Sequence, residues 1–177
     1  AWAVGLGKTV VHYTFELSQN IVGKRYDSRI TGIDFDDLGL HKDTVKAAVA
    51  ALPGRLIIKK YPNRIATIQT LKNHISKLRM NDISPDLILV DYPDIMKSSK
   101  SYENKRFEEE TIYEELRSLA DELQLPIWTA CQTNRLAMDV EVITLKHIAE
   151  CFAKAMISDL FITMNRTKTA NRVNIGN

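Results

Sequence analysis

Four consecutive large aliphatic residues, Leu87, Ile88, Leu89 and Val90, closed by Asp91, constrain the fold of this chain more than any other segment. A strand-sized apolar run of this kind reads as a buried strand. A carboxylate at its end costs desolvation energy unless it is hydrogen-bonded or coordinates a cation, and magnesium on nucleotide phosphates is a common reason to accept that cost. Two further strand-like runs also end in polar groups suited to phosphate chemistry: residues 10–15, closed by Glu16, and residues 127–131, which lead into Gln132. In a parallel sheet every strand presents its carboxyl end at one edge, so all three side chains are expected to meet in one crevice, as an ATPase requires.

The segments between these runs carry helical periodicity. Ser18 is placed to cap a helix bearing Ile21, Val22, Tyr26 and Ile30, with Gly32 just past its end. A second helix is expected over about residues 43–52, stopped by Pro53 and Gly54, and residues 56–61 read as a short strand. Thr67 caps a helix whose apolar face is Ile68, Leu71, Ile75 and Leu78, and Pro85 resets the chain before the strand ending at Asp91. A polar stretch over residues 97–105 precedes a long amphipathic helix with Phe107, Ile112, Leu116, Leu119, Ala120 and Leu123 along one side. Pro126 starts the next strand, residues 134–144 read as loop, residues 145–156 as helix and residues 160–163 as a last strand. Strands repeatedly separated by helices of ten or more residues indicate βαβ units, so the fold class is α/β with a mostly parallel sheet flanked by helices.

With 177 residues, 45% of them hydrophobic and 26% charged, one globular domain over residues 1–177 is expected. Only 7 Gly and 5 Pro are present, which argues against long linkers and low-complexity tracts. Cys131 and Cys151 sit in apolar sequence without metal-ligand spacing and read as reduced core residues of a cytoplasmic protein. The longest apolar stretches are strand-sized, so no membrane span is expected, and no secretory signal pattern opens the chain. A net charge of +2 is too mild to announce a nucleic-acid partner by itself.

Gly7, Lys8 and Thr9 look at first like the end of a phosphate-binding P-loop. The full pattern needs another glycine five positions before Gly7, where Trp2 stands. A P-loop also follows a strand and opens a helix, so that helix N–H groups face the phosphates. Lys8 and Thr9 instead run straight into the β-branched and aromatic residues 10–15, so residues 1–4 are expected to be a helix tail, residues 5–7 its stop and Lys8 the start of a strand. Any genuine P-loop is then expected ahead of Ala1 or in other residues outside this sequence, and the chain is expected to be a fragment that is inactive alone.

Each candidate has a plain alternative. Asp91 suits magnesium, commonly through a bound water, or is a solvated residue at a strand end. Glu16 suits the acceptor that polarises an attacking water, or is an acidic residue near a helix N-terminus, where the dipole favours negative charge. Gln132 suits a donor to the γ-phosphate that reports its loss to the following segment, or a side chain satisfying loop backbone. Their shared edge raises all three together.

These residues resemble the motor domain of DnaB-type replicative helicases, within the RecA-like ATPase superfamily that also holds KaiC-like proteins. Val11-His12-Tyr13-Thr14-Phe15-Glu16-Leu17-Ser18 is similar to the family's second strand, which ends in Ser-Leu-Glu-Met-Ser and carries the catalytic glutamate. Residues 87–96 resemble its Walker B segment, where the aspartate is followed by Tyr-Leu-Gln-Leu-Met; Tyr92 and Met96 agree, while Pro93 and Asp94 depart. Cys131-Gln132-Thr133-Asn134-Arg135 is similar to the Ser-Gln-Leu-Asn-Arg sensor motif, and Ile148-Ala149-Glu150 with Ser158-Asp159-Leu160-Phe161 resembles the segment before the last buried strand. The match runs over about residues 8–165, and its departures point to a phage-like member.

The resemblance implies a RecA-like P-loop NTPase core, ATP and Mg²⁺ as cofactors, a homo-oligomeric ring that is a hexamer, single-stranded DNA in its channel, and a primase or helicase loader as further partner. It implies that Glu16, Asp91 and Gln132 are catalytic, with Asp91 on magnesium and Gln132 on the γ-phosphate. The loops after Asp91 and Gln132 would bring Lys97, Lys100, Lys105, Arg135 or Lys146 to DNA phosphates. The tail Asn171-Arg172-Val173-Asn174-Ile175-Gly176 resembles the family's Lys-Asn-Arg-Asn-Gly segment, which makes Arg172 a candidate trans-acting finger, with Ala170 where the family's lysine would stand and Arg166 and Lys168 as alternatives. The function implied is an ATP-dependent helicase motor; the rival readings are a KaiC-like or recombinase-type ATPase without unwinding activity, and an inactive RecA-fold scaffold.

Overall fold

A computed structural model describes residues 1–133 and 153–164. The element order is α1 (Trp2–Gly5), β1 (Thr9–Thr14), α2 (Gln19–Thr31), α3 (Lys42–Ala50), β2 (Arg55–Lys60), α4 (Ile68–Arg79), β3 (Leu87–Asp91), a 3₁₀ turn (Pro93–Ile95), α5 (Lys105–Leu123), β4 (Ile127–Thr129) and α6 (Ala153–Ile157).

Local chemistry sets most of these boundaries. The Ser18 hydroxyl accepts the Ile21 N–H at the start of α2, and Gly32, at φ 74°, ends the helix with its N–H on the Ser28 carbonyl. At α4, Thr67 and Thr70 form a reciprocal capping box. Asn104 accepts the Arg106 N–H at the start of α5.

The four strands are parallel, in the order β2-β1-β3-β4. Val10 pairs with Leu56 and Leu87, His12 with Ile58 and Leu89, and Thr14 with Lys60 and Asp91. On one face Val11, Tyr13, Phe15, Ile88 and Val90 pack with Leu71 and Ile75 of α4 and Ile112, Leu116 and Leu119 of α5. The opposite face carries His12, whose Nδ1 is 3.0 Å from the Tyr26 hydroxyl of α2. From β1 the chain passes to β2 on one side, then crosses back to β3 and continues to β4 on the other. The carboxyl ends of β1 and β3 therefore flank a topological switch point, where open α/β sheets form their ligand crevice.

Three expectations need correction. Residues 160–163 form no strand: Leu160, Ile162 and Met164 are 69%, 59% and 89% exposed, and the sheet of described strands ends at β4. An apolar run becomes a strand only where a neighbouring strand pairs with it in register, which apolarity alone does not supply. The strand expected over residues 127–131 stops at Thr129, so Cys131 and Gln132 lie past it. Phe107 does not join the buried side of α5 but leans on Tyr102, with ring centroids 6.1 Å apart, because it stands in the first turn, outside the sheet's footprint. Of the helix expected over residues 145–156, only its end is described, as α6. No helix among the described residues is long and apolar enough to cross a membrane.

Candidate functional site

The edge at the carboxyl ends of β1 and β3 is assembled by backbone pairing. Thr14 lies opposite Asp91, and the Phe15 N–H donates to the Asp91 carbonyl at 3.1 Å, carrying the ladder one step past β1. The buried Thr14 hydroxyl then donates to the Leu17 carbonyl at 3.1 Å and turns the chain, leaving Glu16 exposed at the rim. Lys60 closes the other flank, its ammonium 3.5 Å from the Glu16 carbonyl oxygen.

On the β4 side, the Thr129 hydroxyl donates to the Val90 carbonyl at 2.9 Å, and three positions later the Gln132 amide donates to the Tyr92 hydroxyl at 3.1 Å. Tyr92 follows Asp91 through a cis peptide. Burial first, and then the negative charge of Glu16, Asp94 and Asp91 around it, pushes the Tyr92 hydroxyl above the ordinary tyrosine range. Glu16, Asp91 and Gln132 thus come together around Tyr92, a residue that the motif match contained but that sequence reasoning gave no role.

Asp91 is partly buried, and among the described residues neither its carboxylate nor that of Glu16 has a hydrogen-bond or ion-pair partner. Asp91 also acts behind the edge. Burial, opposed by the Asp91 charge, lowers the His12 pKa, while burial and then Asp91 push the Tyr26 hydroxyl up to about 12. A half-buried carboxylate without a cationic partner among the described side chains fits a cation bound with phosphate. Among the described residues there is no cluster of three or more His, Cys, Asp or Glu able to hold a metal alone, so phosphate or water would complete the coordination.

Lys8 lies at the other end of the sheet. Its ammonium is 3.3 Å from Asp86, whose second carboxylate oxygen accepts the Thr9 N–H at 2.8 Å. Six strand residues at about 3.3 Å each place that pair roughly 20 Å from the Asp91 edge, so Gly7, Lys8 and Thr9 form no phosphate loop here.

Sequence reasoning missed the charges behind the site. Lys154 of α6, 1% exposed, pairs with Asp94 at 2.9 Å and Glu109 at 2.7 Å, and Lys105 holds the other Glu109 oxygen at 3.1 Å. The Tyr113 hydroxyl donates to Asp94 at 2.9 Å. The one signal for this was Asp94 itself, a departure from the motif. Lys97 and Lys100 lie exposed beyond the 3₁₀ turn; Lys105 opens α5. Arg135, Lys146, Arg166, Lys168, Arg172 and Cys151 lie outside the described residues. Cys131 is free and partly buried, its thiol pushed up by burial and then by Asp94.

The model of the DnaB-like helicase C terminal domain matches residues 3–142. A DnaB-like replicative helicase of Enterobacteria phage T4 is 28% identical over 179 residues, 92% of this chain and 37% of that protein. A probable plasmid replicative DNA helicase of Chlamydia psittaci is 28% identical over 138 residues, 75% of this chain and 30% of that protein. The chain thus spans about a third of the length of these relatives. Among solved structures, one described as an ATPase domain superposes with TM-score 0.74 at 11% identity, over 88% of this chain and 58% of that one. A DnaB-like replicative helicase, described with its interactions with primase, gives 0.73 at 11% identity over 88% and 40%. At such identity the likeness speaks for the fold, which is RecA-like.

Proposed function

Because the chain belongs to the family of DnaB-like helicase C-terminal domains, we propose that it is the ATP-hydrolysing motor of a replicative helicase that moves along single-stranded DNA. The observation that carries this reading is the convergence of Glu16, Asp91 and Gln132 around Tyr92 at the switch point between β1 and β3.

In this reading Asp91 holds magnesium, directly or through water. The ion, when bound with ATP, neutralises charge on the phosphates. Glu16, exposed at the rim and held by the turn after Thr14, orients the attacking water and accepts its proton. Gln132 donates its amide to the terminal phosphate or to Tyr92, so its choice of partner reports the state of the nucleotide. Such sites work by positioning and charge stabilisation, which demands the backbone pairing that fixes Phe15 and Asp91. Lys97 and Lys100, exposed past the 3₁₀ turn, are suited to DNA phosphates. Copies arranged in a hexameric ring would put those loops around a strand, with a primase or loader as a further partner.

The test is ATP turnover by the full natural chain that carries these residues, with and without single-stranded DNA. Stimulation by DNA that Glu16→Gln removes, with ATP binding retained, is expected; a general base contributes about 10²–10⁴-fold. Turnover indifferent to DNA would identify an ATPase that does not translocate. No turnover at all would leave a scaffold.

A further inference from the structure

Behind the nucleotide edge, the buried ammonium of Lys154 meets two carboxylates from different parts of the chain. Asp94 lies in the 3₁₀ turn after Asp91, and Glu109 lies in α5. Burial alone would depress the Lys154 pKa, but its bonds to Glu109 and Asp94 outweigh burial and hold it above the ordinary lysine range. Glu109, likewise, is held low by Lys154 and Lys105 despite its burial. The ammonium also sits 5.3 Å from the centre of the Tyr113 ring.

The same atoms form a closed circuit. The Tyr113 hydroxyl donates to Asp94 Oδ1, the oxygen that Lys154 holds, and lies 3.5 Å from the Ala130 carbonyl at the end of β4. Two positions past Ala130, Gln132 donates to Tyr92, which stands two positions before Asp94. Asp94, Tyr113, Ala130, Gln132 and Tyr92 thus make a ring of contacts around the edge, and Lys154 enters it from α6. A buried ion pair is seldom worth more than a well-packed apolar group, but losing its cation leaves buried carboxylate charge uncompensated.

We propose that Lys154 is a positioning residue of the motor, whose ammonium locks the turn after Asp91 to α5 and α6, so that α6 and the Asp91–Gln132 edge shift as one body. The proposal deepens the motor reading and rests on it for its consequence in turnover. The geometric part stands separately, because it concerns contacts among this chain's own side chains.

Two variants and two readouts test it in the full natural chain. Lys154→Met leaves Asp94 with the Tyr113 hydroxyl and no cation, and Glu109 with Lys105 alone. The triple variant Lys154→Met, Asp94→Asn, Glu109→Gln removes all three charges and so spares the fold. By amide hydrogen exchange, both variants are expected to lose protection about tenfold or more at residues 92–96 and 130–132, while β1 keeps its own. In turnover, kcat should fall about tenfold with KM for ATP within about twofold, and Lys154→Arg should restore part of it. Wild-type protection at residues 92–96 and 130–132 in the triple variant, or a loss confined to α6, would overturn the proposal and leave Lys154 as an anchor for α6 alone. A wild-type protein without DNA-stimulated turnover sinks the motor reading instead, and exchange still decides the positioning role.

Discussion

The side-chain amide of Gln132 donates to the hydroxyl of Tyr92 over 3.1 Å, tying the segment past β4 to the residue that follows Asp91. The bond spans the two strand ends across which phosphate state would have to be read. Tyr92→Phe removes the acceptor and little else, since the ring is only partly buried. A hydrogen bond of this kind is worth about 1 kcal/mol, or roughly fivefold in rate. Steady-state kinetics should therefore show kcat for ATP lowered by roughly that factor, with the urea midpoint barely moved. A variant as active as wild type would mean that Gln132 does not depend on Tyr92 for its position.

Asp91 allows stability and function to be tested against each other. It is partly buried, and no described side chain partners its carboxylate. Asp91→Asn should leave the nucleotide-free protein at least as stable as wild type, because an unpartnered charge is replaced by a neutral amide of the same shape. The magnesium concentration that supports half-maximal nucleotide binding should rise about tenfold or more. Urea unfolding and a magnesium titration followed by a fluorescent nucleotide check the two halves. A marked loss of stability with unchanged magnesium dependence would make Asp91 a structural residue.

The histidines give a signed pH dependence. Burial, opposed by Asp91, lowers His12, and burial with the charges of Lys59 and Lys77 lowers His74. Each ring is already engaged while neutral, His12 with the Tyr26 hydroxyl at 3.0 Å and His74 with that of Tyr13 at 2.9 Å. Folded pKa values below the unfolded 6.5 mean that the unfolded chain takes up protons first as pH falls. Stability should hence be flat above about pH 7 and decline as pH drops through about 6.5. Replacing both histidines by glutamine should flatten that slope in urea titrations between about pH 5 and pH 8, whatever its effect on absolute stability. An unchanged slope would assign the acid sensitivity to other groups.

What was legible in the chain was local or periodic. Ser18, Gly32 and Thr67 announce helix ends because capping is settled within a few residues, and each caps as expected. The strand ending at Asp91 was legible from four aliphatics in a row, and Lys8 was recognisable as a strand entrance from the residues after it. Residues 160–163 show the limit: an apolar run has strand chemistry, but a strand also needs a neighbour, and no local pattern reports one. The place of Tyr92 between Glu16 and Gln132 depends on how three strands register, which only the folded sheet fixes. Lys154 was illegible for the same reason, since its two carboxylates lie far away in sequence.

Gly54 tests the sheet at its other end. Its N–H donates to the Val4 carbonyl at 3.1 Å, and the next amide, that of Arg55, donates to the Lys8 carbonyl at 3.1 Å, so the chain entering β2 lies against the link between α1 and β1. A Cβ at position 54 would stand 2.5 Å from both the Lys8 and the Val4 carbonyl oxygens. Neither is the tip of a flexible side chain that can step aside; both are backbone held in hydrogen bonds. Gly54→Ala must push the start of β2 away from β1, and forced overpacking of this kind costs about 1–3 kcal/mol. Because the displacement falls at the Lys8 edge, turnover per folded molecule should stay near wild type while the urea midpoint drops. A stable Gly54→Ala protein would show that β2 does not enter the sheet against Val4 and Lys8, and the register of β1 with β2 would have to be redrawn.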